Sequence, residues 1–372
     1  MSQGEYFSHW ASFHPPFKLI LTNIFFGLFG YESYTIIGFV LGIVGIYALY
    51  LIGVKLFDKK VALLSAFLLA TSGLYLSVSL FSITDFVVTV LFLVAFVFYS
   101  RSKYWLYAVF AALAVLTKET AIFLTFGILI TEFFQQKKRI VPLLLPILTI
   151  GLWIGFLYSG GHHLWNDYNF SPTARYGSTL TIILNLITLH FLNQYAFENW
   201  LHLFVFNFNW VYTAFAGVSL FLLRKKLKTK EFMAIGISSL LFCVLSLSFQ
   251  TWTINRYVLP LLPFLYLFAS YSALETKYRS ITLVLLVLIA FISLSHSVDP
   301  VSNLIWPKTK LFNQTLYLKP QSDGPDGITY NLQYLQVLQK RNTKILHNQC
   351  HIPEIISYRK PILRELQITT CQ

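Results

Sequence analysis

The sequence predicts an all-α polytopic membrane protein of about ten transmembrane helices, with an outer interfacial helix and a small extracytoplasmic C-terminal tail. Three observations carry that prediction. Of 372 residues, 56% are hydrophobic and 12% charged, with mean hydropathy +0.62, where a soluble domain carries about 25% charged residues. Apolar runs of about twenty residues recur between residues 32 and 298, each long enough to cross a hydrocarbon core of ~30 Å. The basic residues, finally, fall in alternate connections between those runs.

Spans are expected near 32–54, 61–80, 84–100, 103–118, 119–135, 140–158, 200–223, 231–250, 256–274 and 280–298. With no water to satisfy backbone groups in the bilayer core, they are helices. The alternating ten-residue segments of a membrane barrel are absent.

More than half of the 28 lysines and arginines gather in five connections: Lys55, Lys59 and Lys60; Arg101 and Lys103; Lys137, Lys138 and Arg139; Arg224 to Lys230; Lys277 and Arg279. By the positive-inside rule that face is cytoplasmic. The formal net charge of +13 thus reports orientation and a surface for anionic lipid, and calls for no nucleic acid. The other face receives residues 1–31, the turn around Asp85, Lys118-Glu119, a long loop at 159–199, Thr253 to Tyr257, and the tail from 299 to 372. Three regions follow: an outer segment at 1–31, a transmembrane module at 32–298, and the tail.

Residues 17–30 (FKLILTNIFFGLFG) are short for a span and end in Gly30, as expected of a helix lying at the outer interface. No span precedes this outward amino terminus. Either the Lys55 connection sets the topology or the native chain has an earlier helix; the second is the expectation. The tail has Lys-Pro, Asp-Gly and Pro-Asp turn signals and an amphipathic run from Asn331 to Gln339.

The candidate chemistry lies in charged residues at the outer ends of spans. Asp85 opens one apolar run, and Lys118 and Glu119 stand where one run ends and the next begins. Charges so near hydrocarbon cost several kcal/mol and mark sites or pathways. Asp85 as a helix cap and Lys118-Glu119 snorkelling to headgroups are the plain alternatives. Arg256, beside Tyr257, stands at the start of a run with Pro260 and Pro263, where a bent helix is expected. Its guanidinium suits bidentate phosphate binding, or a headgroup anchor. Arg175 in the long loop is a substrate contact or a solvated cation. Together these residues describe a site in which a carboxylate deprotonates an acceptor hydroxyl while lysine and arginine hold a lipid-linked phosphate.

Other residues offer less. His162, His163 and Asp167 have no further ligands at metal-site spacing. Cys243 falls inside a span, whereas Cys350 and Cys371 share the tail and could pair in an oxidising compartment. Asn313-Gln314-Thr315 is a glycosylation acceptor pattern. The aromatic excess, 35 Phe and 22 Tyr, fits lipid-facing packing and interface belts.

The stretches HPPFKLILTNIFFGLFG, VKLFDKKVALLSAFLLATSGLYLSVSLFSITDFVVTVLF and AALAVLTKETAIF, in that order, resemble the polyprenyl-phosphate-sugar-dependent glycosyltransferases of the C superfamily. That superfamily includes protein O-mannosyltransferases and aminoarabinose lipid A transferases. The resemblance covers residues 5–125 well and 250–265 loosely. It implies transfer of a sugar from a polyprenyl-phosphate donor to a protein, lipid or glycan on the extracytoplasmic side of the plasma membrane. It makes Asp85 the acidic residue of the second outer loop and Lys118 the carrier-phosphate lysine. His14 with Pro15 and Pro16 becomes the end of the first outer loop. Arg256 and Tyr257 with Leu259-Pro260 match a later Arg-Tyr and Pro pattern. The family's Asp-Glu pair is reduced to Gly4-Glu5-Tyr6, so the catalytic carboxylate is Glu5 or Asp85, with His14, Lys118, Glu119, Arg175, Arg256 and Tyr257 as substrate contacts. No cofactor is fixed; a divalent metal stays open. A secondary transporter and a non-catalytic member of the same fold are the rival readings, the first disfavoured by charges at span ends and the lack of a repeat.

Overall fold

The computed structural model describes residues 15–30, 33–80, 84–135, 140–159, 209–248 and 259–295, with Thr188 and Phe204. Among them all regular structure is helical. The helices are α1 (Phe17–Phe29), α2 (Ser33–Leu56), α3 (Lys59–Ala70), α4 (Gly73–Leu80), α5 (Thr84–Ser100), α6 (Tyr104–Val115), α7 (Ala121–Phe134), α8 (Val141–Ser159), α9 (Trp210–Leu222), α10 (Lys230–Ser248), α11 (Leu262–Glu275) and α12 (Arg279–Ser295). The expected long loop at 159–199 and the tail at 299–372 lie outside the described residues apart from Ser159 and Thr188.

Some boundaries fall where polar residues satisfy helix ends. The Asp58 carboxylate accepts from the backbone N–H groups of Lys60 (2.8 Å) and Val61 (2.9 Å) and so caps α3. Lys55, in the last turn of α2, places a cation at the negative end of that helix dipole. Asn209 caps α9 by accepting from Val211 N (2.9 Å).

Two expected spans change form. The run 61–80 is two helices: α3 ends at Thr71, whose hydroxyl (2.8 Å) and backbone N–H (3.0 Å) both donate to Phe67 O. Ser72 Oγ then accepts from Tyr75 N (3.3 Å) at the start of α4. Ser72 Oγ thus gives Tyr75 N the bond that a continuous helix would supply from the Thr71 carbonyl. Among the described residues, Pro260 and Pro263 lie at a helix start. Residues 259–261 form a 3₁₀ turn and Pro263 sits at the start of α11, where a missing N–H costs nothing.

Helix α5 is the axis of the packing: every residue from Thr84 to Ser100 is buried except the half-buried Val94 and Phe98. It packs on α2 and α6, and its Phe92 and Phe96 rings meet Phe264 of α11 edge-on at 6.2 and 5.7 Å. Where α2 crosses α3 the backbones touch, since a Cβ on Gly53 would lie 2.7 Å from Ala62 Cα. Small residues permit such close approach, which helix association in lipid relies on.

The outside of the bundle is apolar. Phe39 (69% exposed), Trp105 (65%) and Leu152 (75%) face outward, while Thr89, Ser65, Asp85, Lys118 and Glu132 are buried. A surface this apolar suits lipid and not water. Among the described residues, Thr35–Leu56 is long and apolar enough to cross a membrane by length and composition, and eight apolar helices of 10–17 residues accompany that stretch.

The basic turns share one end. Phe57 stacks on Tyr271 (4.6 Å) and meets Phe232 edge-on (5.5 Å), joining the α2–α3 turn, the start of α10 and the end of α11. Lys230 lies over Tyr99 and Tyr104, which brings the α5–α6 turn to the same place. Lys55, Lys59, Lys60, Arg101, Lys103, Arg224, Lys225, Lys226, Lys228, Lys277 and Arg279 are exposed there.

Candidate functional site

The opposite end of α5 carries the site. Asp85 is in its first turn, where the helix dipole favours an anion. The partner comes from the α6–α7 connection, residues 116–120. This turn is wound tightly: Leu116 N donates to Ala112 O (2.8 Å), Lys118 N to Ala114 O (3.1 Å) and Ala121 N to Lys118 O (3.0 Å). The Thr117 hydroxyl donates to Leu113 O (2.8 Å). So constrained, Lys118 points inward and its Nζ lies 2.6 Å from Asp85 Oδ1.

The ion pair is buried, with 6% of the lysine and 4% of the aspartate side chain exposed. Snorkelling is therefore not the role of Lys118, because the turn directs the ammonium into the bundle. Asp85 is more than a cap: it holds a cation 33 residues away in sequence. Glu119 is half-buried beside them. A buried ion pair is seldom net stabilising relative to apolar packing, so its place at the mouth of the most buried helix points to use.

A third segment reaches the same turn. Phe17 N donates to Leu116 O at 2.9 Å, and Pro15 is buried. The chain just after His14 is thus fastened against the Lys118 turn by a backbone bond. His14 itself, Glu5, Arg175, Arg256 and Tyr257 lie outside the described residues, as do His162, His163, Asp167, Cys350, Cys371 and Asn313. Cys243 is half-buried in α10 with a free thiol. Among the described residues no group of three or more His, Cys, Asp or Glu side chains is placed to hold a metal.

A second buried charge cluster, at the basic end, escaped the sequence reading. Glu132, near the end of α7, is fully buried and lies 3.2 Å from Lys230 Nζ at the start of α10. Lys230 donates to the Tyr104 hydroxyl (2.8 Å), which donates to Glu132 Oε1 (3.3 Å). The ammonium sits 4.2 Å from the Tyr99 ring centre and 4.7 Å from that of Tyr104. The signal was a lone acid inside ILITEFF, since an acid within a span is a site or a pairing by default.

Residues 13–165 match the family model described as dolichyl-phosphate-mannose-protein mannosyltransferase. Among solved structures, the chain is similar to ArnT from Cupriavidus metallidurans in the apo state, at 14% identity and TM-score 0.53. That match covers 79% of this chain and 55% of ArnT. The ArnT structure bound to undecaprenyl phosphate gives 13% identity and TM-score 0.53, covering 88% and 62%. The archaeal oligosaccharyltransferase AglB from Archaeoglobus fulgidus, in complex with an inhibitory peptide and a dolichol-phosphate, gives 14%, TM-score 0.50, and 91% and 53%. Comparison with curated proteins finds no match. The chain spans between half and two thirds of the length of these solved structures. The chain thus shares its fold with ArnT and AglB, and over residues 13–165 it is similar to the mannosyltransferase family model.

Proposed function

We propose that this chain transfers a sugar, hexose or pentose, from a polyprenyl-phosphate donor to a protein, lipid or glycan acceptor outside the cytoplasm. The observation that carries the reading is the buried Asp85–Lys118 pair at the end of the bundle opposite the basic turns. In a multi-pass arrangement of about ten crossings in the plasma membrane, the positive-inside rule puts that end outside the cytoplasm. A donor available there must have crossed on a lipid, entering laterally between helices with its phosphate at the headgroup level.

Lys118 then binds the donor phosphate and Asp85 holds the ammonium in place. The acceptor oxygen attacks the anomeric carbon from the face opposite the phosphate. The bond from that carbon to the phosphate oxygen breaks, its electron pair stays on the polyprenyl phosphate, and the configuration inverts. Charge growing on the leaving phosphate is met by Lys118, with Arg256 as a second cation. The acceptor proton passes to a carboxylate. The Asp85 carboxylate is already engaged with the Lys118 ammonium at 2.6 Å, which favours Glu5 for this step. The bond from Phe17 N to Leu116 O supports a first loop lying beside Lys118. Glu119, His14, Tyr257 and Arg175 are the remaining proposed contacts. ArnT and AglB have been solved with polyprenyl phosphates bound, which supports the donor class.

The test is capture of a photoreactive polyprenyl phosphate by the purified chain, with undecaprenyl phosphate and undecaprenol as competitors. The phosphate should displace the probe at least about tenfold better than the alcohol, and Lys118→Ala should remove that preference. Equal displacement by the two would show that no phosphate is recognised, and the reading would fall.

A further inference from the structure

The α6–α7 hairpin that presents Lys118 is divided between two packing groups. Helix α6 lies on α5 and α8, whereas α7 lies on α10. Helices α6 and α7 touch each other sparsely, and α8 reaches α7 less than it covers α6. The angle between the two arms is therefore set mainly at the two ends. At one is the covalent turn 116–120; at the other is the cluster of Tyr99, Tyr104, Glu132 and Lys230.

That cluster draws one member from each of four helices: Tyr99 from α5, Tyr104 from α6, Glu132 from α7 and Lys230 from α10. Its bonds run across the boundary between the groups. Glu132 is fully buried, and its carboxylate accepts from Tyr104 and meets the Lys230 ammonium. Two aromatic faces enclose that ammonium. Among the basic residues of the described turns at this end, Lys230 is the buried one, so orientation in the membrane does not account for it. Apolar side chains would fill the space without the cost of desolvating two charges. What they would not supply is a directional tie that fixes α7 against α6.

We infer that Glu132, Lys230 and Tyr104 form a clamp that fixes the opening of the α6–α7 hairpin and so positions Lys118 for the donor phosphate. The clamp is a set of positioning residues, about 20 Å from Lys118 along a fourteen-residue helix. Its link to donor binding rests on the function proposed above; its hold on the hairpin does not.

Two measurements on the full chain in detergent separate these. The first is binding of undecaprenyl phosphate. Glu132→Leu combined with Lys230→Met, which replaces both charges with apolar side chains of similar length, should weaken binding about tenfold. Lys230→Arg, which keeps a cation against the two ring faces, should weaken binding less than the double variant does. The second is hydrogen–deuterium exchange in the peptide 114–123 without lipid, which should rise about tenfold in the double variant. Unchanged exchange at 114–123 in a folded double variant overturns the clamp. Raised exchange with unchanged binding overturns its link to the phosphate. A wild-type chain that binds no undecaprenyl phosphate refutes the donor reading, while exchange still decides the clamp. Should the double variant not fold, Tyr104→Phe carries the same two readouts, with effects of about threefold expected.

Discussion

Lys118→Ala should lower kcat/KM for sugar transfer from a polyprenyl-phosphate donor by about a thousandfold or more. Two losses combine. The donor phosphate loses the cation that meets its growing charge, and Asp85 is left buried without the ammonium now 2.6 Å away. Losing a group that meets developing charge costs about 3–4 kcal/mol at the transition state, each 1.36 kcal/mol being a factor of about ten in rate. The unpaired buried carboxylate separately costs the fold about 3–5 kcal/mol. Lys118→Arg should recover part of the rate, since a guanidinium also binds phosphate. Asp85→Asn should do less damage to the fold than to catalysis, because an amide fits the same space without holding the ammonium as firmly. Transfer rates are measured with a labelled donor and purified protein. A Lys118→Ala enzyme within threefold of wild type would remove Lys118 from the reaction.

Gly127→Leu should destabilise the protein by about 3 kcal/mol or more, the upper range for overpacking. Helices α7 and α10 touch at this point: a Cβ on Gly127 would lie 2.5 Å from Ser238 Cα. That neighbour is backbone, so relief requires the helices to separate. Separation would also break the bond from the Ser238 hydroxyl to Leu124 O (2.7 Å) and draw α7 away from the partner that carries Lys230. The control is Gly151→Leu on α8, where a Cβ meets nothing within 4 Å and the residue is exposed. Thermal unfolding in detergent should show a midpoint lowered by several degrees for the first variant and unmoved for the second. Equal midpoints would mean that α7 and α10 are not packed as described.

The helices that read well in sequence are those whose ends coincide with a change in residue character. Helix α5 runs over the predicted span 84–100, and α2 ends at the basic turn that was expected to stop it. The break in 61–80 was hidden because Thr71 and Ser72 read as tolerable members of a small-residue helix. Only their hydroxyl bonds to Phe67 O and from Tyr75 N reveal them as terminators. Pro260 and Pro263 are ambiguous for a related reason: proline signals a kink or a start, and the backbone before it decides which.

At the site, residue type and span position were enough to single out Asp85 and Lys118. Pairing over 33 residues was not readable, because it depends on how α5 and α6 lie against each other. The cluster at the other end failed differently. Lys230 was counted with its exposed neighbours as a marker of orientation, and nothing local distinguishes the one lysine that turns inward over Tyr99 and Tyr104. Glu132 stood alone in an apolar run and was the available clue.

The central claim is that the end of the bundle holding Asp85 and Lys118 works on sugars carried by a polyprenyl phosphate. The most direct measurement is donor consumption by the purified full chain in liposomes, with acceptor supplied from a membrane extract. A panel of labelled polyprenyl-phosphate sugars is set against the corresponding nucleotide sugars. The account predicts that at least one lipid-linked donor releases its polyprenyl monophosphate while its label moves to an acceptor, and that the nucleotide sugars are left intact. Consumption of a nucleotide sugar in preference, or no turnover of any lipid-linked donor, would contradict it.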